Sequence, residues 1–423
     1  MTRRKTLIGG GIVAAVVAAA ALWLAWPDVL EPAEIAATPT DVSPETVARG
    51  EYLARAGNCI GCHTRRGGEP YAGGRAVSTP FGAIFSTNLT PDDETGLGTW
   101  TTADFWRAMH HGRSKDGRRL YPAFPYTSYT HVTREDADAI FAYLMSLEPV
   151  TSPRIEPELR FPYRLPLALA VWRAMFFRPG GLEAVPERSP EWNRGAYLVE
   201  GLGHCKACHS PRGRLGAIDP DEAYAGGEIP WLGWDAPPLN PHGKLSDEEA
   251  EDLARLLSTG VSSRTAVTGP MAEVVFHSLQ YLTAPDIDAI VDYVRTLPAR
   301  NYAVAGGPVL APARMQNQLL AGARIYAEHC ADCHGDDGRG EPFVYPPLAG
   351  NALVTAASPT NAIRSVLLGG YPPSTHGNPR PHGMPPFAQS LSPEETAAVL
   401  TYVRNAWGNS APPVTAAQIN RRP

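Results

Sequence analysis

The sequence predicts a mainly α protein: three small helical domains in tandem behind an N-terminal transmembrane helix. Three observations carry this. A Cys-x-x-Cys-His pattern occurs three times, and no cysteine lies outside it. Each copy is preceded by a glycine-bearing helical stretch and followed by a capped closing helix. Close to its start the chain also has a long run without charge.

That opening run sets the first element. Arg3, Arg4 and Lys5 precede Leu7 to Trp26, a stretch with no charged residue. Roughly 20 apolar residues span a hydrocarbon core, whereas a secretory apolar region is usually about 7–15. Trp23 and Trp26 suit an outer interface, with the basic residues left inside. A retained anchor over residues 1–26 is the favoured reading. The rival is a cleaved signal peptide with its site among Ala18 to Ala21. On either reading the chain beyond Pro27 lies across the inner membrane, in the periplasm of a bacterium.

The 423 residues suffice for about three domains. With 37 basic and 43 acidic side chains the net charge is −6. No basic run follows the first residues, so nucleic acid is not expected as a partner. Forty-two prolines and 40 glycines point to long ordered loops rather than regular sheet.

The three patterns are Cys59, Cys62 and His63; Cys205, Cys208 and His209; and Cys330, Cys333 and His334. This is the c-type haem attachment pattern. Two thiols one helical turn apart can add to the two vinyl groups of one porphyrin edge, and the adjacent imidazole then reaches the iron. A zinc site needs four ligands, and the chain lacks the additional pairs. A disulfide leaves the recurring histidine unexplained. Three covalently bound haem c groups are expected, with His63, His209 and His334 on the irons.

The surroundings repeat as well. "ARGEYLARAGNCIGCH", "NRGAYLVEGLGHCKACH" and "LAGARIYAEHCADCH" place Gly50, Gly195 and Gly322 in the first helices. A mid-helix glycine costs roughly 1 kcal/mol against alanine, which close crossing by the last helix would justify. The closing helices have Thr133, Thr283 and Ser392 as N-caps. Asp136, Asp286 and Glu395 follow as capping-box or first-turn acids. Tyr143, Tyr293 and Tyr402 stand ten residues past each cap and read as fold rather than chemistry.

Each unit resembles a class I cytochrome c domain, a few helices wrapped on one haem. That resemblance implies a distal methionine ligand, and two units supply one: Met271 in "TGPMAEVV" and Met384 in "HGMPPFAQ", each in a Pro/Gly loop before the closing helix. Histidine with thioether gives an electron-transferring iron of raised potential. Domain one has Phe124 in the methionine's place, in "LYPAFPYTSY". Its ring has no lone pair. Three outcomes stay open: a five-coordinate iron under a Phe124 lid, a ligand from Met109, His110 or His111, or His131 from the same loop. His131 is the first candidate.

The expected organisation is an anchor at 1–26, domains at 44–148, 187–298 and 314–408, a bridge at 149–186, a linker at 299–313 and a tail at 409–423. The bridge holds an apolar stretch, Leu167 to Phe177, too short to cross a bilayer. It reads as a helix tucked between domains, a membrane-surface contact or a docking site for a partner.

"TNLTPDDETGLGTW", "LYPAFPYTSY", "RFPYRL", "TGPMAEVV" and "MPPFAQSLSPEE", in that order, resemble the triheme cytochrome c subunit of bacterial membrane-bound dehydrogenases. The resemblance covers nearly the whole chain after residue 44. It implies an electron-transfer subunit beside a large catalytic subunit carrying molybdopterin, pyrroloquinoline quinone or flavin, together with a small subunit in some complexes. Ubiquinone would be the acceptor, and this chain would have no substrate-oxidising site. Several relatives anchor through a C-terminal amphipathic segment. The tail "PPVTAAQINRRP" is unsuited to that, so the anchor is expected at the front or the bridge. Phe124 in "PAF", where alcohol-dehydrogenase relatives have "PAM", leans toward the molybdenum aldehyde-dehydrogenase branch. The competing functions are a stand-alone electron carrier and a peroxidase or gas-binding cytochrome with an open first haem.

Overall fold

The computed structural model describes residues 42–229, 232–300 and 307–421. The expected anchor at 1–26 lies outside them. Among the described residues no helix is long and apolar enough to cross a membrane. The described residues are mainly helical, with two small antiparallel sheets among them. The chain divides into two compact units. One comprises residues up to Glu51 together with His63–Leu182; the other comprises Tyr52–Cys62 and Glu183–Pro423.

The first unit begins with most of α1 (Pro44–Ala56). The end of α1 and the attachment turn α2 (Cys59–His63), up to Cys62, belong to the second unit; the first resumes at His63 and continues into a hairpin of β1 (Ala76–Thr79) and β2 (Gly82–Phe85). Next come α3 (Thr102–His111) and the closing helix α4 (Arg134–Met145). Strand β3 (Glu158–Leu159) adds to β2. The bridge helix α5 (Pro166–Phe176) ends the unit.

The second unit contains α6 (Pro190–Tyr197), which continues into a π-turn at Leu198–Leu202, and α7 (Lys206–His209). After the β4 (Gly227–Ile229) and β5 (Trp234–Ala236) hairpin come α8 (Asp247–Thr259), α9 (Gly269–His277) and the closing α10 (Ala284–Arg295). The rest holds α11 (Pro312–His329), α12 (Ala331–His334), α13 (Thr360–Leu368), the closing α14 (Pro393–Val403) and α15 (Ala416–Asn420).

Three helix crossings recur, each at a glycine. A Cβ added at Gly50 would lie 1.9 Å from the Ala139 carbonyl oxygen; at Gly195, 1.9 Å from that of Ala289; at Gly322, 2.2 Å from that of Ala398. The same added atoms would fall within 3.0 Å of the Cβ atoms of Tyr143, Tyr293 and Tyr402. The tyrosines therefore mark where the closing helix rides over the glycine. Any side chain there would push the axes apart.

Thr133, Thr283 and Ser392 are the N-caps, each accepting a hydrogen bond from the backbone N–H three residues on. The full reciprocal box forms only at Ser392 among these three. Asp136 instead accepts from Arg49 Nη2 at 2.6 Å, and Asp286 from Arg194 Nε at 2.8 Å. In both, the arginine immediately precedes the crossing glycine, so the ion pair clamps the crossing. Alanine occupies that place before Gly322, and Gln318 Nε2 reaches the Ala397 and Val414 carbonyls instead.

The tail is part of the core. Val414 and Ile419 are buried with Ile363, Leu367 and Leu400. Arg404, fully buried, donates from Nε to the Pro412 carbonyl at 3.1 Å and from Nη1 to that of Val354 at 2.6 Å. The tail's apolar residues are spent on packing.

Candidate haem-attachment sites

Each Cys-x-x-Cys-His segment folds as a single helical turn, which brings both cysteines and the histidine together. None of the six cysteines is in a disulfide among the described residues. Burial pushes Cys59 and Cys205 up to about 12 and Cys330 up to about 11, so the unreacted groups are held as thiols. Asn58 and His204 adopt left-handed backbone (φ 49° and 37°) directly before the first cysteines, which sharpens entry into the turn. Asparagine tolerates that region; histidine does so at some strain.

The histidines share one geometry. His63 Nδ1 lies 2.7 Å from the Thr87 carbonyl oxygen, His209 Nδ1 2.7 Å from that of Pro237, and His334 Nδ1 3.0 Å from that of Pro346. A carbonyl only accepts, so Nδ1 carries the proton and Nε2 keeps its lone pair. Burial lowers all three pKa values, against a partly opposing backbone hydrogen bond. The rings are therefore neutral, aligned and ready to coordinate through Nε2. This is the outer-shell bond that metal-bound imidazoles make, and beside paired thiols it fits haem c.

The carbonyl loops are themselves pinned. Asn88 donates to the Val150 carbonyl at 2.7 Å, just past α4. Asn240 donates to Leu297 at 2.7 Å, just past α10. In the third segment the direction reverses, with Asn409, past α14, donating to Leu348 at 2.9 Å. The closing helix thus fixes the loop that fixes the imidazole. Sequence reasoning missed these partners. A signal existed in the repeated "PPL" at Pro237-Pro238-Leu239 and Pro346-Pro347-Leu348, where the second proline offers no N–H to compete.

Other expected residues fall on different elements. Met384 sits in an irregular loop, exchanging backbone hydrogen bonds with Gly370 at 2.8 and 3.0 Å. Met271 stands in the first turn of α9 rather than in a loop. Gly269 and Pro270 begin that helix, with Gly269 against the Trp234 ring. Phe124 packs edge-on against Tyr129, ring centroids 5.3 Å apart. His131, in the turn before α4, has Nδ1 3.1 Å from the Gly180 carbonyl oxygen. Met109, His110 and His111 are buried along α3, with His110 stacked on Trp106 at 4.3 Å.

One half-buried carboxylate carried no sequence signal. The π-turn presents Glu200 to two phenols: Tyr224 Oη and Tyr293 Oη each donate to it at 2.6 Å, and Lys206 pairs with it. Burial raises the Glu200 pKa, but the lysine charge and these hydrogen bonds outweigh it, leaving the carboxyl below its usual range. The anion raises the neighbouring Cys205 thiol further.

With paired thiols and aligned imidazoles in place, comparison with known proteins is informative. The cytochrome c family model matches residues 47–148 and 319–407. Across 404 residues the chain is 39% identical to the cytochrome c subunit of alcohol dehydrogenase (quinone) from Gluconacetobacter polyoxogenes, covering 92% of this chain and 86% of that one. The chain belongs to the dehydrogenase cytochrome c subunits. It is also 38% identical over 387 residues to the gluconate 2-dehydrogenase cytochrome c subunit of Pantoea cypripedii, with 86% of each chain covered. A third relative is a nicotinate dehydrogenase component of Pseudomonas putida, 43% identical over 390 residues, 90% of this chain but 32% of that one. Membership in this cytochrome c family implies covalently bound haem c. The two family-model matches flank a middle stretch in which Gly195, Thr283 and His209 have the same geometry as their counterparts.

Proposed function

We propose that this cytochrome c subunit carries three covalent haems and passes electrons from a partner dehydrogenase to ubiquinone. Haem c supplies reversible one-electron exchange between ferric and ferrous iron. The chain's residues do the rest. Cys59 with Cys62, Cys205 with Cys208, and Cys330 with Cys333 tether the groups. His63, His209 and His334 present Nε2 to the irons, and Met271 and Met384 complete two of them. His131 is the candidate for the first. The domain boundaries follow the expectation above, with residues 1–26 as the inner-membrane anchor and the haem domains in the periplasm. The observation that carries the reading is the threefold Nδ1-to-carbonyl lock beside paired thiols.

The partner is read as a large catalytic subunit that holds the substrate site. The relatives' names span alcohol, gluconate and nicotinate at similar identity, so identity does not select among them. Phe124 in "PAF" inclines the reading to a molybdopterin aldehyde dehydrogenase over partners with pyrroloquinoline quinone or flavin.

Purification in mild detergent tests this, with mass spectrometry of whatever travels with the chain. The expected result is a large dehydrogenase and quinone reduction by the complex alone. A monomer reducing many acceptors would favour a free-standing carrier. Peroxide turnover by the isolated chain would favour the peroxidase reading.

A further inference from the structure

The bridge helix α5 is turned inside out for a soluble protein. Its buried side holds a cation. Arg173 is 8% exposed and donates from Nη2 to the His111 carbonyl at 2.7 Å. It also lies over the rings of Tyr126 and Phe177 at 5.0 and 4.8 Å. It thereby neutralises the negative C-terminal end of α3. With the inner side so occupied, the apolar residues point outward. Leu167, Val171 and Met175, at i, i+4 and i+8, form an exposed stripe, 55%, 36% and 51% accessible. Phe176, Leu165 and Phe161 extend it.

Charge indicates what the stripe meets. Between Arg160 and Leu182 there is no Asp or Glu. Arg160 and Arg164 are exposed at one end of the stripe and Arg178 at the other. The exposed stripe offers almost no hydrogen-bonding side chain, although protein interfaces carry about one hydrogen bond per 100–200 Å². Lipid demands none. An apolar helix face with cationic flanks is the pattern of a helix lying in the headgroup region.

We propose that α5 lies on an anionic lipid surface, its Leu167–Val171–Met175 stripe among the acyl chains and its arginines on the phosphates. This goes beyond the electron-transfer reading and is separate from any anchor at 1–26. It would hold the first unit at the bilayer, where a lipid-soluble quinone is reached.

The test uses the full haem-loaded chain on vesicles of phosphatidylglycerol and phosphatidylcholine, with a diazirine carried in the lipid. Peptides spanning residues 160–182 should be labelled in anionic vesicles. Each of Arg160→Gln and Arg164→Gln should lower that labelling about five-fold at low salt, with an unchanged haem spectrum showing an intact fold. Leu167→Ser with Met175→Ser should abolish it. Two results would overturn the proposal: no label there while other segments are labelled, or protection that arises only when a dehydrogenase subunit is bound. If quinone reduction by the complex persists without such labelling, the lipid contact fails and the proposed function stands.

Discussion

Tyr52 Oη donates a 2.6 Å hydrogen bond to Asp286 Oδ2, across 234 residues of sequence. The same oxygen receives Arg194 Nη2 at 2.7 Å. Tyr52 also accepts from the Thr283 backbone N–H at 3.2 Å. One carboxylate therefore caps the crossing of α6 with α10 and ties in the segment bearing Cys59 and Cys62. Around it, Ser278 Oγ donates to the Ala56 carbonyl at 3.3 Å, and Arg55 lies 4.1 Å over the Tyr281 ring. Cys62 is within electrostatic reach of Cys208. The clamp thus helps hold the first two Cys-x-x-Cys segments together.

Asp286→Asn should cost about 1–2 kcal/mol near neutral pH, the scale of a partly exposed charge-assisted bond. Burial pushes this carboxyl up, but hydrogen bonds from Arg194 and Tyr52 and the arginine charge hold it below its usual range. A folded-state pKa below the unfolded value of about 4 means that the stabilisation is full above that value and is lost as pH falls through the folded-state pKa. Denaturant titrations of both proteins at neutral and acid pH should show the difference shrinking on acidification. A gap that persists under acid would place the effect elsewhere.

The crossing glycines give a sharper stability test. Gly195→Ala would put a methyl 1.9 Å from the Ala289 carbonyl oxygen. Overpacking of this kind costs typically about 1–3 kcal/mol, and with backbone on the other side the upper end is expected. Gly213→Ala, whose nearest neighbour would be 3.9 Å away, should change stability by less than about 0.5 kcal/mol. Thermal melts of the two variants make the comparison.

What could be read from the sequence was local or repeated. The cap threonines, the crossing glycines and the tyrosines ten residues past the caps follow from spacing within one helix or recurrence among three. Asp136 and Asp286 could not be assigned that way, because their arginine partners lie 87 and 92 residues distant. Met271 was expected in a loop because Gly269 and Pro270 read as breakers, yet proline is well suited to a helix's first turn. The orientation of α5 was hidden because Arg173 is satisfied by a carbonyl 62 residues earlier. Glu200 gave no signal until the π-turn aimed it at two tyrosines.

His131 is tested by spectroscopy. Under the proposed ligation, His131→Ala should change the low-spin paramagnetic resonance signal of the first haem and shift its potential. Bis-histidine iron lies lower than histidine–methionine iron, so the first haem should titrate below the other two before substitution. An unchanged signal and potential would exclude His131, and the same readout on Met109→Ala, His110→Ala and His111→Ala would then apply.

Asn240 tests the outer shell proposed for a second haem. It is 1% exposed and joins the Pro237 loop to the end of α10. Asn240→Ala should cost about 1–3 kcal/mol through unpaired buried groups. It should also move the potential of the haem proposed at His209, because the carbonyl that orients the ring is loosened. Redox titration separates this from simple destabilisation; a stable variant with an unmoved potential would contradict the link.

Whether all three Cys-x-x-Cys-His segments bear haem is read from the intact mass of the denatured chain. Thioether bonds survive denaturation, so the expected mass is that of the polypeptide plus three haems, falling by one haem when Cys205 and Cys208 are both replaced by serine. A mass carrying two haems or fewer in the unaltered chain, matured with a functional attachment system, would contradict it.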